Sequence, residues 1–270
     1  MTILGLGEGP FRFGLFVLVL LVMAALETWL PRRQRRHPRK SRWTTNIGLL
    51  VSDFLAVSVF TVLVPVTAVI AAIWAETAGI GLFNVLPMPG WVAGIVAFVV
   101  LDLVIWAQHL VFHKVPMLWR VHSVHHTDHD LDATTGIRFH PVEIVLSILV
   151  KAAAVVVLGA PPLAVVLFEA MVNAAALFNH ANLRLPPALD RVLRLFVVTP
   201  DMHRVHHSVE REETDSNYGF ALSIWDRLFS TYRAQPRAGH EGMTTGLAEW
   251  QADSRPNRLG WLIALPFRRR

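Results

Sequence analysis

The chain has 270 residues, of which 53% are hydrophobic and only 17% are charged. A soluble domain usually carries about 25% charged residues, so this composition indicates a membrane protein. The chain contains no cysteine, which excludes disulfides, thiolate zinc sites and cysteine-held iron–sulfur clusters. The net charge is +5, and the basic residues are unevenly distributed along the chain. This distribution indicates a role in membrane topology rather than a nucleic-acid partner.

Apolar stretches follow one another along the chain, at about residues 11–30, 47–74, 90–113, 144–158 and 161–181. About 20 apolar residues cross the hydrocarbon core as a helix, and the first three stretches reach that length. The first stretch follows no basic cluster and precedes no evident cleavage site, so we expect a retained transmembrane helix. Pro161 and Pro162 divide the last two stretches into a hairpin that enters the bilayer and returns. The piece at 79–86 is either interfacial or partly embedded.

A basic loop follows the first stretch and contains Arg32, Arg33, Arg35, Arg36, Arg39, Lys40 and Arg42. Positive loops are retained in the cytoplasm, so we expect the loop inside and the N-terminus outside. The third helix then ends inside, and the hairpin starts and ends inside. The mixed, polar residues from Asn182 onward are expected to form a cytoplasmic cap over the helices. The sequence therefore predicts an all-α, multi-pass membrane protein with four to five transmembrane or membrane-embedded helices and a cytosolic helical cap.

Histidines form the most informative pattern in the sequence. His109 and His113 lie four residues apart near the inner end of the third helix, and such residues share one helical face. Two copies of H-x-x-H-H follow at 122–126 and 203–207, and a helix would project up to three of their imidazoles toward one side. His180 closes the last apolar helix and is a candidate ninth ligand. So many imidazoles would repel one another when protonated and lose hydration when neutral, so their grouping favours a metal site.

The number of candidate ligands indicates two metal ions. A tetrahedral zinc ion takes four ligands and a catalytic zinc ion usually three plus water, so eight or nine histidines exceed one ion's needs. Imidazole suits iron, zinc, copper and nickel, so the ligand type alone leaves the metal open.

These motifs resemble those of the fatty acid hydroxylase / sterol desaturase superfamily of membrane di-iron oxygenases. The resemblance covers about residues 95–232 and includes Arg138-Phe139-His140-Pro141 after the second motif and Asn217-Tyr218-Gly219 after the third. It implies a four-helix membrane core, a cytosolic metal domain with two iron ions, and O2-dependent hydroxylation, desaturation or ether cleavage of a lipid. The metal ligands that it implies are His109, His113, His122, His125, His126, His180, His203, His206 and His207.

The resemblance divides the chain into three segments. We expect transmembrane helices and the basic loop over 1–94, a catalytic domain over 95–235 and a cytoplasmic tail over 236–270. No haem or flavin domain is evident in so short a cytosolic portion, so a separate reductase or electron carrier is expected to supply electrons. Zinc can occupy iron sites in an isolated protein.

Three alternatives remain beside a lipid hydroxylase or desaturase. They are an ether-lipid monooxygenase of the same superfamily, a membrane zinc hydrolase and a non-catalytic metal-binding protein. A zinc hydrolase would normally carry H-E-x-x-H, and that motif does not occur here. The sequence leaves the lipid and the reaction outcome open.

Several further polar residues are candidates for holding the metal ligands or lining a cavity. Asp128 and Asp201 lie two residues from a histidine motif and either hold the far nitrogen of an imidazole or act as a cap or solvated acid. His129 and His140 are candidates for facing the metals or the substrate, whereas His37 and His240 are expected at the surface.

Ionisable and polar residues in the apolar helices indicate a path toward the metals. Asp102, Glu169 and Asn173 lie in apolar helices, where such residues usually face the bundle interior or a wet cavity. Glu169, Asn173 and His180 share one helical face, which could line a substrate or water path. For Asn173 an interhelical hydrogen bond is the alternative.

Overall fold

The computed structural model describes residues 2–86 and 88–268, and the regular secondary structure of these residues is almost entirely helical. Two-residue strands, β1 (Thr2–Ile3) and β2 (Leu6–Gly7), pair antiparallel before the first helix. The helices up to the hairpin are α1 (Glu8–Trp29), α2 (Arg39–Leu63), α3 (Ala68–Ala78), α4 (Leu82–Val85), α5 (Gly90–Lys114), α6 (Pro116–His126), α7 (Pro141–Leu158) and α8 (Pro162–Asn179). The cap contains residues 127–140 between α6 and α7, together with α9 (Pro187–Leu193), α10 (Pro200–His206), α11 (Arg211–Thr214), α12 (Ile224–Leu228), α13 (Gly239–Gly242) and α14 (Leu259–Ala264).

Five helical segments among the described residues are long and apolar enough to cross a membrane. They are α1, the segment Arg39–Val85 that contains α2 to α4, and then α5, α7 and α8. The prediction of an all-α membrane protein is therefore confirmed. The predicted single helix over 47–74 is wrong, because the chain breaks between α2 and α3 at Pro65. A proline has no N–H to donate and disfavours helical geometry at the residue before it.

The hairpin of α7 and α8 turns at the end of the bundle away from the histidines. Gly159 ends α7 in the left-handed conformation (φ 64°), which glycine adopts without strain. A side chain at Gly81 would collide with the backbone of Gly159, so the turn before α4 touches the hairpin turn directly. The predicted break of the last apolar region into two helices is confirmed.

Two of the buried apolar clusters pack the membrane helices and the C-terminal segment. One lies among α3, α5, α7 and α8 and includes Leu101, Val155 and Phe168, each at most 1% exposed. The other packs Leu262 of α14 against Leu49 of α2 and Val124 of α6. Burying one such side chain stabilises the fold by about 1.5–3 kcal/mol. The C-terminal segment is thus packed against the bundle beside the second histidine motif.

A buried ionic network joins the basic loop and α2 to the cap. Arg42 donates hydrogen bonds from Nε and Nη2 to Asp128 (2.8 and 2.7 Å) and from Nη1 to Asp132 (2.6 Å). Burial alone would raise the pKa of Asp128, but the Arg42 guanidinium holds that pKa well below its usual range. The backbone N–H groups of Arg36 and His37 donate to the Asp130 carboxylate. The basic loop therefore lies at the same end of the bundle as the histidine motifs.

Candidate metal centre

The nine histidines proposed from the sequence come together at one end of the helical bundle. Helix α5 contributes two, α6 contributes three, the residue after α8 contributes one, and α10 with its C-terminal residue contributes three. Each of these nine residues is at most 5% exposed. Residues that are far apart in the sequence are therefore buried against one another in the folded chain.

The nine imidazoles form two groups, and within each group the candidate ligand atoms lie within 4.8 Å of one another. The five-histidine group contains His109, His113, His122, His126 and His206. The four-histidine group contains His125, His180, His203 and His207. Each group could hold a metal ion, and His180 brings the second group to four ligands.

Each H-x-x-H-H motif is shared between the two groups. In the motif at 122–126, His122 and His126 join the five-histidine group while His125 joins the other. The motif at 203–207 reverses this order, because only its middle residue, His206, joins the five-histidine group. Residues at i+3 and i+4 of a helix differ by about 100° in direction, which separates the middle imidazole from the last. The expectation that one motif projects toward one side is therefore replaced by a pattern in which each motif links two sites.

The spacing of the ring nitrogens fits bound metal ions. Nε2 of His109 lies 3.1 Å from Nε2 of His122, and Nε2 of His180 lies 3.0 Å from Nε2 of His125. Two imidazole nitrogens on one ion at about 2.1 Å and a right angle would be about 3 Å apart. Both ring nitrogens of His126 are buried and lack a hydrogen-bond partner among the described residues. Metal coordination would satisfy these nitrogens.

The far nitrogen of several imidazoles is held by a protein acceptor. Nδ1 of His122 pairs with the Glu143 carboxylate at 2.7 Å. Backbone carbonyls accept from Nδ1 in four others: His109 (Tyr218 O), His125 (Arg138 O), His180 (Ala176 O) and His206 (Ser216 O). Such contacts fix the ring orientation and leave Nε2 as the ligand atom.

Burial keeps several of these imidazoles in the neutral form that binds metals. It lowers the pKa of His180 to about 4 and that of His206 to about 3. Burial, together with the neighbouring imidazoles, also holds the pKa of His125, His126 and His207 well below the usual value. Near pH 7 these side chains therefore need no deprotonation before they coordinate a metal.

Comparison with known proteins identifies the family. The model of the fatty acid hydroxylase family matches residues 94–231, which is just over half of the chain. The chain belongs to the fatty acid hydroxylase family.

The chain is similar to several known enzymes of lipids. One is ornithine lipid hydroxylase OlsE of Rhizobium tropici, which is 34% identical over 53% of this chain and 42% of its own length. Human alkylglycerol monooxygenase is 29% identical over 55% of this chain and 32% of its own length. A cholesterol 25-hydroxylase-like protein of Danio rerio is 29% identical over 48% of this chain and 51% of its own length. The chain thus spans about half or less of the length of these relatives. No solved structure matches it.

Two predicted supporting acids of the fatty acid hydroxylase region bind arginines instead of imidazoles of the two groups. Asp128 pairs with Arg42, and Asp201 pairs with Arg32 and Arg204. Asp201 precedes His203 by two residues in α10, which places it about 200° around the helix from that histidine. Glu143, which the sequence did not single out, holds His122 from 21 residues away. Its position in the first turn of α7 gives no local signal of that contact.

Three other candidates lie outside the two histidine groups. The ring of His129 packs against that of His37, with centroids 5.4 Å apart. His140 caps α7, since its Nδ1 accepts from the Val142 N–H. Asp102 accepts from Trp225 Nε1 at 2.8 Å, so it links α12 to α5.

The expectation that His240 lies at the surface is wrong. His240 is only 5% exposed, and its Nε2 lies 3.6 Å from Asp201. The loop composition around it gave no sign that α13 would fold back onto α10. His37 retains a partly exposed side chain, 32%, next to Asp130.

A cavity of about 500 Å³ extends from the five-histidine group into the helical bundle. His109 and His122 lie at its wall, with Asn173, Lys151 and Arg12 also among its lining residues. Much of the remaining lining is apolar and includes Phe13, Phe16, Phe54, Val57, Ile105, Ile137, Phe139, Ile144, Val172 and Phe220. The predicted path toward the metals through Asn173 therefore coincides with a cavity.

Glu169, the other predicted member of the path, binds two of the lining residues. Its carboxylate pairs with Arg12 at 3.0 Å and with Lys151 at 2.5 Å. This ionic cluster links α1, α7 and α8 within their membrane-spanning lengths. Such groups inside a bilayer normally pair with one another or face a cavity, and these do both.

Proposed function

We propose that this protein is a membrane di-iron oxygenase that uses O2 to oxidise a C–H bond of a lipid. The observation that carries the proposal is the pair of buried, all-histidine groups at one end of a membrane helix bundle. Iron bound by these imidazoles would supply O2 activation and C–H oxidation. Two groups with five and four imidazoles match two ions better than one.

The chain's own residues would position the lipid. The cavity brings apolar side chains such as Phe16, Phe54 and Phe139 together with His109 and His122. These aromatic and aliphatic walls would hold a hydrocarbon chain against the histidines and exclude water from the reacting carbon. Glu143, through its contact with Nδ1 of His122, would keep that ring aimed at the site.

The histidine end of the bundle is proposed to face the cytoplasm. The basic loop pairs with the cap at that same end, through Arg42 to Asp128 and through the Arg36 N–H to Asp130. Loops rich in arginine and lysine are retained on the cytoplasmic side. A soluble or membrane-bound reductase or electron carrier would therefore reach the metals from the cytoplasm.

A lipid is the substrate class that the relatives favour. Ornithine lipid hydroxylase and alkylglycerol monooxygenase are both named for oxidation of lipids. Hydroxylation is the proposed outcome, with desaturation or ether cleavage distinguishable by product mass. The size of the cavity is compatible with a single hydrocarbon chain beside the histidines.

The test is comparative lipid mass spectrometry of cells that lack the gene, carry the wild type, or carry His125→Ala. His37→Ala is the matched control, because His37 lies outside both histidine groups. We expect one lipid class to gain an oxygen, or to lose two hydrogens, with the wild type and the control but not with His125→Ala. The same lipids in all four strains, with iron present in the purified wild type, would contradict the proposal.

A further inference from the structure

The cavity beside the histidines contains a carboxylate that the proposed reaction does not use. Asp53 lies near the middle of α2 and lines this cavity. It is 6% exposed, and its Oδ1 atom is buried without a hydrogen-bond partner from the described part of the chain. An ionised carboxylate without a partner is strongly unfavourable inside a membrane protein, and ionisable groups within a membrane bundle commonly mark a substrate or ion pathway.

The other charged groups of the cavity already have partners. Glu169 is shared by Arg12 and Lys151, and Glu143 engages His122. Glu143 also has one buried oxygen, Oε2, without a partner, but its Oε1 engages His122, so Asp53 is the acid of the cavity lining to which no described residue donates a hydrogen bond. A ligand that completes the site must bring a hydrogen-bond donor to Asp53, and a positively charged donor would also balance its charge.

The position of Asp53 ties this donor to the site of oxidation. Leu50, one turn earlier on α2, also lines the cavity, and Asn46, one further turn earlier, binds Arg138 in the cap. Arg138 also contacts the carbonyl of Val124 within α6, which carries the second histidine motif. Asp53 thus lies about 10 Å along α2 from the residue that joins this helix to the cap, by the rise of 1.5 Å per residue. This distance along α2 is no longer than one lipid chain or headgroup.

We propose that Asp53 binds a hydrogen-bond-donating group of the lipid substrate, an ammonium or a hydroxyl, and thereby sets which carbon faces the metals. This inference rests on the proposed function, since it assigns the substrate to the same cavity. It narrows the substrate from any hydrocarbon chain to an amphiphile with an amino or hydroxyl group inside the bundle. Asp53 is a specificity-determining residue in this account, and it takes no part in the oxidation itself.

The test measures binding without turnover, using the full chain in detergent micelles under nitrogen. The probes are octadecylamine, octadecanol and octadecane, which share one chain length and differ in the donor group. Their dissociation constants are measured by native mass spectrometry for the wild type and Asp53→Asn. Glu76→Gln is the control for loss of an acidic charge, because Glu76 is exposed on α3.

We expect the wild type and the control to bind octadecylamine or octadecanol about tenfold more tightly than octadecane, as one charge-assisted hydrogen bond allows. A preference for the amine that disappears in Asp53→Asn identifies an ammonium. A preference for the alcohol that persists partly in Asp53→Asn, whose amide oxygen still accepts, identifies a hydroxyl. Equal binding of all three probes by the wild type would overturn the proposal, and so would full retention of an amine preference by Asp53→Asn.

Thermal unfolding separates a binding role from a structural one. Removal of an unpartnered buried charge should leave the unfolding temperature of Asp53→Asn equal to or above that of the wild type. A lower unfolding temperature, with equal weakening of all three probes, would assign Asp53 to the fold and overturn the proposal. Because no step requires oxidation, an absence of lipid oxidation in cells would contradict the proposed function while leaving the probe preference intact.

Discussion

The contact between Glu143 and His122 gives a graded test of how the five-histidine group is held. The Glu143 carboxylate lies 2.7 Å from Nδ1 of His122, and both residues are buried. Glu143→Leu removes this acceptor, and loss of such a support typically weakens metal binding by about 10–100-fold. That range corresponds to about 1.4–2.7 kcal/mol of binding free energy. Glu143→Gln keeps an acceptor oxygen and should lose less.

The structure also predicts which ion is affected. His122 belongs to the five-histidine group, so the ion in the four-histidine group should keep its affinity. Iron-loaded protein is titrated with a chelator, and the iron retained per chain is measured at each concentration. Glu143→Leu should release one ion at a lower chelator concentration than the wild type and the second ion at an unchanged one. Glu212→Gln, a change at an exposed acid, is the control.

Two results would contradict this role of Glu143. An unchanged chelator curve for Glu143→Leu would show that the contact does not support the ligand. Equal loss of both ions would show that the variant disturbs the whole cap. Circular dichroism of the metal-free variant distinguishes that second outcome from a local effect.

Three further outcomes are expected. His180→Ala should weaken metal binding in its group, because three of the four ligands remain, so one ion should be released at a lower chelator concentration than from the wild type; an unchanged chelator curve would contradict this. Arg42→Met leaves the buried acids Asp128 and Asp132 without their arginine partner and should destabilise the protein by about 3–5 kcal/mol. Thermal unfolding measures this loss. An unchanged unfolding temperature would show that these two ion pairs do not stabilise the fold. Burial holds the pKa of His206 at about 3, below its value of about 6.5 in an unfolded chain. The contribution of neutral His206 to folding stability is therefore complete above about pH 6.5 and is lost as the pH falls toward 3. Metal-free protein should then unfold at lower temperatures in acid. An unfolding temperature that does not change with pH would contradict this.

The sequence predicted the membrane helices from their apolar spacing, and the nine candidate ligands from the histidine motifs together with the resemblance to the family. Twenty-residue apolar stretches need only the bilayer for their explanation. The spacing of His109 and His113 places both on one helical face, and the structure puts both in one group. The break after α2 was also available locally, since Pro65 interrupts the stretch.

The sequence could not predict how the histidines divide or what supports them. Sharing of each H-x-x-H-H motif between two groups depends on the packing of α6 against α5 and of α10 against α8, which periodicity does not specify. Glu143 meets His122 only because α7 begins beside α6 after an intervening 3-10 turn at Ala133–Ile137. Proximity in sequence suggested Asp128 and Asp201 as the acids that hold the imidazoles. Buried arginines of α2 and α10 form ion pairs with those two acids instead.

The central claim is that two metal ions lie in two all-histidine sites. The most direct measurement is metal content per chain of protein purified without oxygen and reconstituted with ferrous iron, combined with X-ray absorption at the iron edge. The account predicts two iron ions per chain, each with a coordination shell dominated by imidazole nitrogen. One ion per chain or fewer, or a shell dominated by carboxylate oxygen, would contradict it.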